Sequence, residues 1–185
     1  MTTQQPPPPY EIEKHTHLFA AWAASRAASV KGCRFSVEQG RTILEACGLT
    51  ANYSSCEGLP KPEQVDEAHT RWRELAISSA LTEGIHFTHG VAAKLINVYL
   101  KSRFVCAGYH LHPNVCALHP PIDKLLLDDL ADRNFGGQAS RWRKTSREGW
   151  SKLSSTGYQD LISAIKGELD KKPLWKIEEF WKGNQ

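Results

Sequence analysis

Two short runs in the chain hold the residue types that acid–base and nucleophilic chemistry needs. The first is His86-Phe87-Thr88-His89-Gly90-Val91-Ala92-Ala93-Lys94, in which a glycine-led turn opens a helix and a lysine follows. Backbone N–H groups at such a helix start are unpaired and share the positive end of the dipole, so they suit a phosphate. Gly90 permits close backbone approach, and an amine at Lys94 is a nucleophile once burial or a neighbouring cation removes its proton. The second run is His119-Pro120-Pro121-Ile122-Asp123-Lys124, which sets a carboxylate at the start of another helix, where the dipole favours its ionised form. Read without chemistry, Lys94 is a solvated helix lysine, Asp123 an ordinary first-turn acid, and His86 and His89 hydrogen-bonding turn residues.

In these runs the chain resembles the helix-hairpin-helix DNA glycosylases of base-excision repair, the 8-oxoguanine glycosylase type among them. Gly90-Val91-Ala92-Ala93-Lys94 follows the order of that family's hairpin and catalytic lysine, with Ala92 where the second glycine stands. Pro121-Ile122-Asp123 is similar to its Pro-hydrophobic-Asp element. The resemblance spans about residues 85–130. It implies a helical DNA-binding glycosylase with β-lyase activity, in which Lys94 attacks the sugar C1′ and Asp123 stabilises the cationic transition state. It also implies that His89, Gly90, Val91 and Ala92 meet the DNA backbone and that a flipped base rests on apolar or aromatic side chains. Two alternatives stand beside it: a non-enzymatic helical nucleic-acid-binding module, and a helical protein–protein interaction domain.

A third cluster is Cys106, His110, His112, Cys116 and His119. Thiolates and imidazoles are zinc ligands, and four of these five could close a structural site, although the spacing matches no standard finger. Otherwise no cofactor is expected. Cys116 and His119 also lie near enough for a thiolate–base pair, with nothing further to support one. Basic residues gather at 140–152, where Arg141, Arg143, Lys144, Arg147 and Lys152 face Glu148 alone. That segment is either a solvated face or a phosphate-tracking patch with Trp142 and Trp150 available to stack. No Walker loop, dinucleotide fingerprint, serine elbow or His-Glu-x-x-His motif occurs, which disfavours nucleotide hydrolysis and dinucleotide redox chemistry.

The frame that positions these groups reads as all-α, a bundle of about seven helices with a helix-hairpin-helix element. Apolar residues recur at helical spacing over 12–29, 62–81 and 91–103, and Ser36 with Gln39 forms a capping-box pattern ahead of a helix to Cys47. Further helices are expected over 121–131 (with Pro121 in the first turn), 156–169 and 174–181, and a short hairpin over 85–90. Trp175, Ile177, Phe180 and Trp181 read as a terminal helix docked on the core. Residues 1–10, with Pro6 to Pro9, read as a disordered proline-rich tail, and residues 11–185 as a single helical domain. The 185 residues carry a net charge of +3 and are 41% hydrophobic, an ordinary globular balance that excludes disorder of the whole chain. No apolar run approaches the roughly 20 residues of a membrane span, so no membrane partner is expected. The odd cysteine count and the lack of a secretory pattern predict reduced thiols and a cytoplasmic protein.

Overall fold

The computed structural model of the protein describes residues 10–50 and 53–183. The proline-rich stretch at 1–9 lies outside the described residues. The architecture is all-α: among the described residues there are eight α-helices and no strand, only an isolated bridge between Val30 and Cys33. Helix α1 (Ile12–Ala28) buries Ala20, Ala21, Ala24, Ser25 and Ala28. These small side chains let α2 (Val37–Ala46) and α4 (His89–Leu100) approach closely. At the α1–α2 crossing a Cβ on Gly40 would stand 2.1 Å from Ser25 Oγ. The capping box at the start of α2 is formed, with Ser36 accepting from the Gln39 N–H and Gln39 returning the bond.

Helix α3 (Val65–Thr82) follows a 3-10 turn that begins at Pro62, and it ends where Gly84 takes φ +71. Helix α4 is apolar on almost every side and correspondingly buried; ten of its twelve residues are inaccessible. It continues without interruption into a π-helical stretch, Lys101–Tyr109, and turns out at Gly108, φ +99. Then come α5 (Pro113–Cys116), α6 (Lys124–Asp132), α7 (Ala139–Glu148) and α8 (Ser155–Leu169), and a 3-10 turn, Leu174–Phe180.

The core has two parts. One is built from α1 to α4 with Leu49, Leu59, Phe104 and Val115. The other is built from α6, α8, Trp142 of α7 and Ile177 of the terminal turn. Helix α4 lies in the seam, giving Val91, Leu95, Ile96 and Tyr99 to the first part and Ala93 to the second. Each fully buried Leu or Ile contributes about 1.5–3 kcal/mol, so polar groups are unfavourable in this seam unless matched. Lys94 and Asn97 both sit there, 6% and 1% exposed.

Several boundaries differ from the sequence-based expectation. Pro121 precedes α6 instead of opening it, because Asp123 supplies the cap. The basic segment at 140–152 contains a full helix, α7, whose inward side is only Trp142 and Ser146. The terminal element is a 3-10 turn and not an α-helix. No separate hairpin spans 85–90: Thr88 caps α4, and Gly90-Val91-Ala92 lie inside that helix.

Candidate functional site

Lys94 leaves the second turn of α4, and its ammonium points across the seam to Asp123. The Nζ–Oδ2 distance is 2.9 Å, between residues 29 positions apart in the chain. Asp123 is held from three directions. As the N-cap of α6 its Oδ1 accepts the Leu126 N–H at 3.0 Å, and its Oδ2 accepts both Lys94 and the Trp181 indole N–H, the latter at 3.0 Å. The Trp150 ring covers the other side of the amine, with its centre 5.6 Å from Nζ. Burial pushes the Lys94 amine below its usual range, while Asp123 and, more weakly, Glu178 draw it back. Desolvation favours the free amine, and the neighbouring carboxylate favours the ammonium.

A narrow crevice beside this amine, lined by Gly90, Ala93, Lys94, Trp150, Leu153 and Tyr158 among others, has no room for even a water molecule. Pockets that enclose small ligands run to about 300–1,000 Å³, so this form is closed to a nucleotide.

The expected phosphate cradle is not free. The Gly90 N–H donates to Leu153 O at 3.2 Å, the Val91 N–H to Thr88 Oγ1 at 3.1 Å, and the Ala92 N–H to Thr88 O at 3.0 Å. Gly90 does serve close approach, but to protein: a Cβ there would stand 2.0 Å from Trp150 O. His89 is partly covered, with Nδ1 3.5 Å from Arg73 Nη1. The basic side chains Arg141, Arg143, Lys144 and Arg147 are exposed on α7. Arg143 approaches Asp132 at 3.8 Å and Lys144 approaches Glu148 at 3.9 Å, loose surface pairs of small energetic consequence. Trp142 cannot stack on a base; it is fully buried and donates its indole N–H to Phe135 O.

The thiols and imidazoles of the 106–119 segment do not converge. Cys106 is exposed, His112 caps α5 through Nδ1, and the Cys116 thiol donates to His110 O. His119 points into the core instead. Among the described residues no group of three or more His, Cys, Asp or Glu is placed to hold a metal, and all five cysteines are free thiols. Burial raises the Cys116 thiol above its usual range, and its neighbour His119 is engaged elsewhere, which removes the basis for a thiolate–imidazole pair.

Two groups of residues emerge only in three dimensions. The first is the terminal turn, whose Trp181 reaches Asp123 and whose Glu178 pairs with Lys101 one helical stretch beyond Lys94. The second is a hydrogen-bonded chain through the seam. Asp66 Oδ1 lies 2.8 Å from His119 Nε2, His119 Nδ1 lies 3.2 Å from Tyr158 Oη, and Asn97 Nδ2 donates to Tyr158 Oη and to Pro120 O at 2.9 Å each. Asn97 Oδ1 lies 2.7 Å from His69 Nε2. One proton arrangement satisfies all of these: Nε2–H on both imidazoles and the Tyr158 hydroxyl donating to His119. His69 Nδ1 is then left as a buried acceptor without a partner. Of this chain, His119 drew notice in the sequence only as a candidate metal ligand or partner of Cys116.

Among the described residues no helix is long and apolar enough to cross a membrane. Comparison with protein-family models, curated proteins and solved structures finds no match to this chain, so its functional reading rests on the residues and geometry described above.

Proposed function

We propose that the protein is a DNA-acting base-excision enzyme of the glycosylase and β-lyase kind, with Lys94 as the nucleophile and Asp123 as its charged partner. The observation that carries this reading is the ion pair of buried Lys94 with half-buried Asp123, 2.9 Å apart and flanked by the Trp150 and Trp181 rings. A lysine whose burial favours its neutral form attacks C1′ as the glycosidic bond breaks, and the base departs with the bonding electrons. The carboxylate beside it opposes the positive charge that accumulates at C1′. Trp150 and Trp181 supply flat apolar surface for a nucleotide drawn out of the stack. Entry requires the Trp150–Lys152 turn or the terminal turn to move aside, because the crevice is smaller than its substrate. The exposed basic face of α7 would contact phosphates.

The test is base release and borohydride trapping on duplexes that carry oxidised, alkylated and deaminated bases. A covalent adduct that disappears in Lys94→Gln supports the reading. Asp123→Asn retains an N-cap side chain, so a loss of base release by orders of magnitude with binding intact reports the charge and not the fold. No release and no adduct across the panel overturns it.

A second reading is a nucleic-acid-binding module without chemistry, favoured by the closed crevice. It predicts salt-dependent duplex binding that is weakened by substitutions on α7 and indifferent to Lys94→Gln.

A further inference from the structure

A second lysine–carboxylate pair stands beside the first and has no part in the chemistry above. Lys101 follows Lys94 by seven residues, two helical turns, and so leaves the same side of the helix. It forms an ion pair with Glu178 of the terminal turn, and their side chains are 29% and 14% exposed. The Lys101 Nζ lies 5.6 Å from the centre of the Trp181 ring, whose N–H binds Asp123. Lys94, Asp123, Trp181, Lys101 and Glu178 thus form one continuous cluster, joined end to end by ion pairs, an indole hydrogen bond and a cation–ring contact.

The other elements around Lys94 place neutral groups against it, Lys152 of the 150–153 turn being exposed. Helix α8 contributes the neutral Tyr158 and the 150–153 turn the face of Trp150. The buried Asp129 of α6 is matched by Arg133 and Lys182. The charges that act on the Lys94 amine are therefore Asp123, Glu178 and Lys101, the first two attracting its proton and the third repelling it.

We infer that Glu178, through its ion pair with Lys101, is a positioning residue for the Lys94 amine, and that the terminal turn carrying Glu178 and Trp181 is part of the reactive site. This rests on Lys94 being the nucleophile. The pair has a signature that a structural role lacks, because its two members push the amine in opposite directions. Removing Glu178 leaves Lys101 unbalanced and releases the amine at lower pH. Removing Lys101 leaves Glu178 unbalanced and holds the proton to higher pH.

Two measurements on the full chain test this. The first is the initial rate of borohydride-trapped adduct on an abasic-site duplex as a function of pH. The second is the titration of the Lys94 side-chain nitrogen by NMR without DNA. In Glu178→Gln the rising limb and the titration midpoint should move down by about half a pH unit or more; in Lys101→Met both should move up by a similar amount. Glu178→Asp, which keeps the charge, should return the limb most of the way to wild type. Unchanged midpoints, or shifts of the two variants in the same direction, overturn the inference. Wild-type protein that forms no adduct overturns the proposed function instead, and the NMR titration still decides whether Glu178 and Lys101 govern the amine.

Discussion

The seam around α4 contains two polar clusters that differ in how their groups are matched. On one side, Asp66, His119, Tyr158, Asn97 and His69 form a hydrogen-bonded chain with neutral imidazoles, which ends at the Asp66–Lys166 ion pair and leaves His69 Nδ1 without a partner. On the other, Lys94, Asp123, Lys101 and Glu178 are charged, and the Trp181 indole links one pair to the other beside a short 3-10 turn. The first cluster ties α3, α4, the 119–120 segment and α8 together. Such a network rigidifies a core. The second gains little from pairing, since desolvation of a buried lysine and carboxylate offsets most of their attraction. Groups kept charged at such cost, beside a crevice, are where chemistry is to be sought.

The largest effect is expected in the hydrogen-bonded chain. Asn97→Ala leaves the His69 N–H, the Pro120 carbonyl and the Tyr158 hydroxyl each short of a partner. At about 1 kcal/mol or more per orphaned group, it should cost about 3 kcal/mol, read by denaturant unfolding. Gly90→Ala comes next. Its methyl group would meet the backbone carbonyl of Trp150 at 2.0 Å, forcing the 150–153 segment away at about 1–3 kcal/mol.

The pH dependence of stability has a definite sign. Burial, the facing imidazole and Arg73 hold His69 well below the usual histidine range; burial also lowers His119, against the pull of Asp66. A histidine whose folded pKa is depressed contributes stability that is present above its unfolded value, about 6.5. It is lost as pH falls below that value, at up to about 1.4 kcal/mol per pH unit for each histidine. The denaturation midpoint should therefore fall between about pH 6.5 and 5, and replacing His69 with a neutral isostere should flatten that decline. Smallest of all, the double variant Lys94→Met, Asp123→Asn should change stability by less than about 1 kcal/mol, because it removes both desolvated charges together and keeps the cap. A cost near that of Asn97→Ala would mean that the charged cluster is structural after all.

What the sequence revealed of this seam, and what it did not, follows the same division. The helical periodicity of α1, α3, α4 and α8, and the Ser36–Gln39 cap, are local signals and were legible as such. Helix α7 was not, because it buries only Trp142 and Ser146 and so has almost no apolar stripe. The glycine at 90 read as a phosphate-binding turn, yet a glycine that lets backbone approach a ligand is indistinguishable in sequence from one that lets it approach Trp150. The metal reading of the 106–119 segment failed for a related reason. Its residues are close in the chain, but π-helical and α-helical turns aim them apart, and His119 finds Asp66 53 positions away. Lys94 and Asp123 drew notice through a family-like order of residues. Glu178 and Trp181, which complete their surroundings, carry no local signature, since only packing of the terminal turn against α6 and α8 brings them in.

The central claim is that Lys94 is a reactive amine and not a structural one. The most direct measurement is borohydride reduction of wild-type protein with an abasic-site duplex, followed by mass mapping of the adduct. One adduct per protein is expected, on Lys94, lost in Lys94→Gln while the variant remains folded and still binds duplex DNA. No adduct, or one spread over the exposed lysines and persisting in Lys94→Gln, would contradict it.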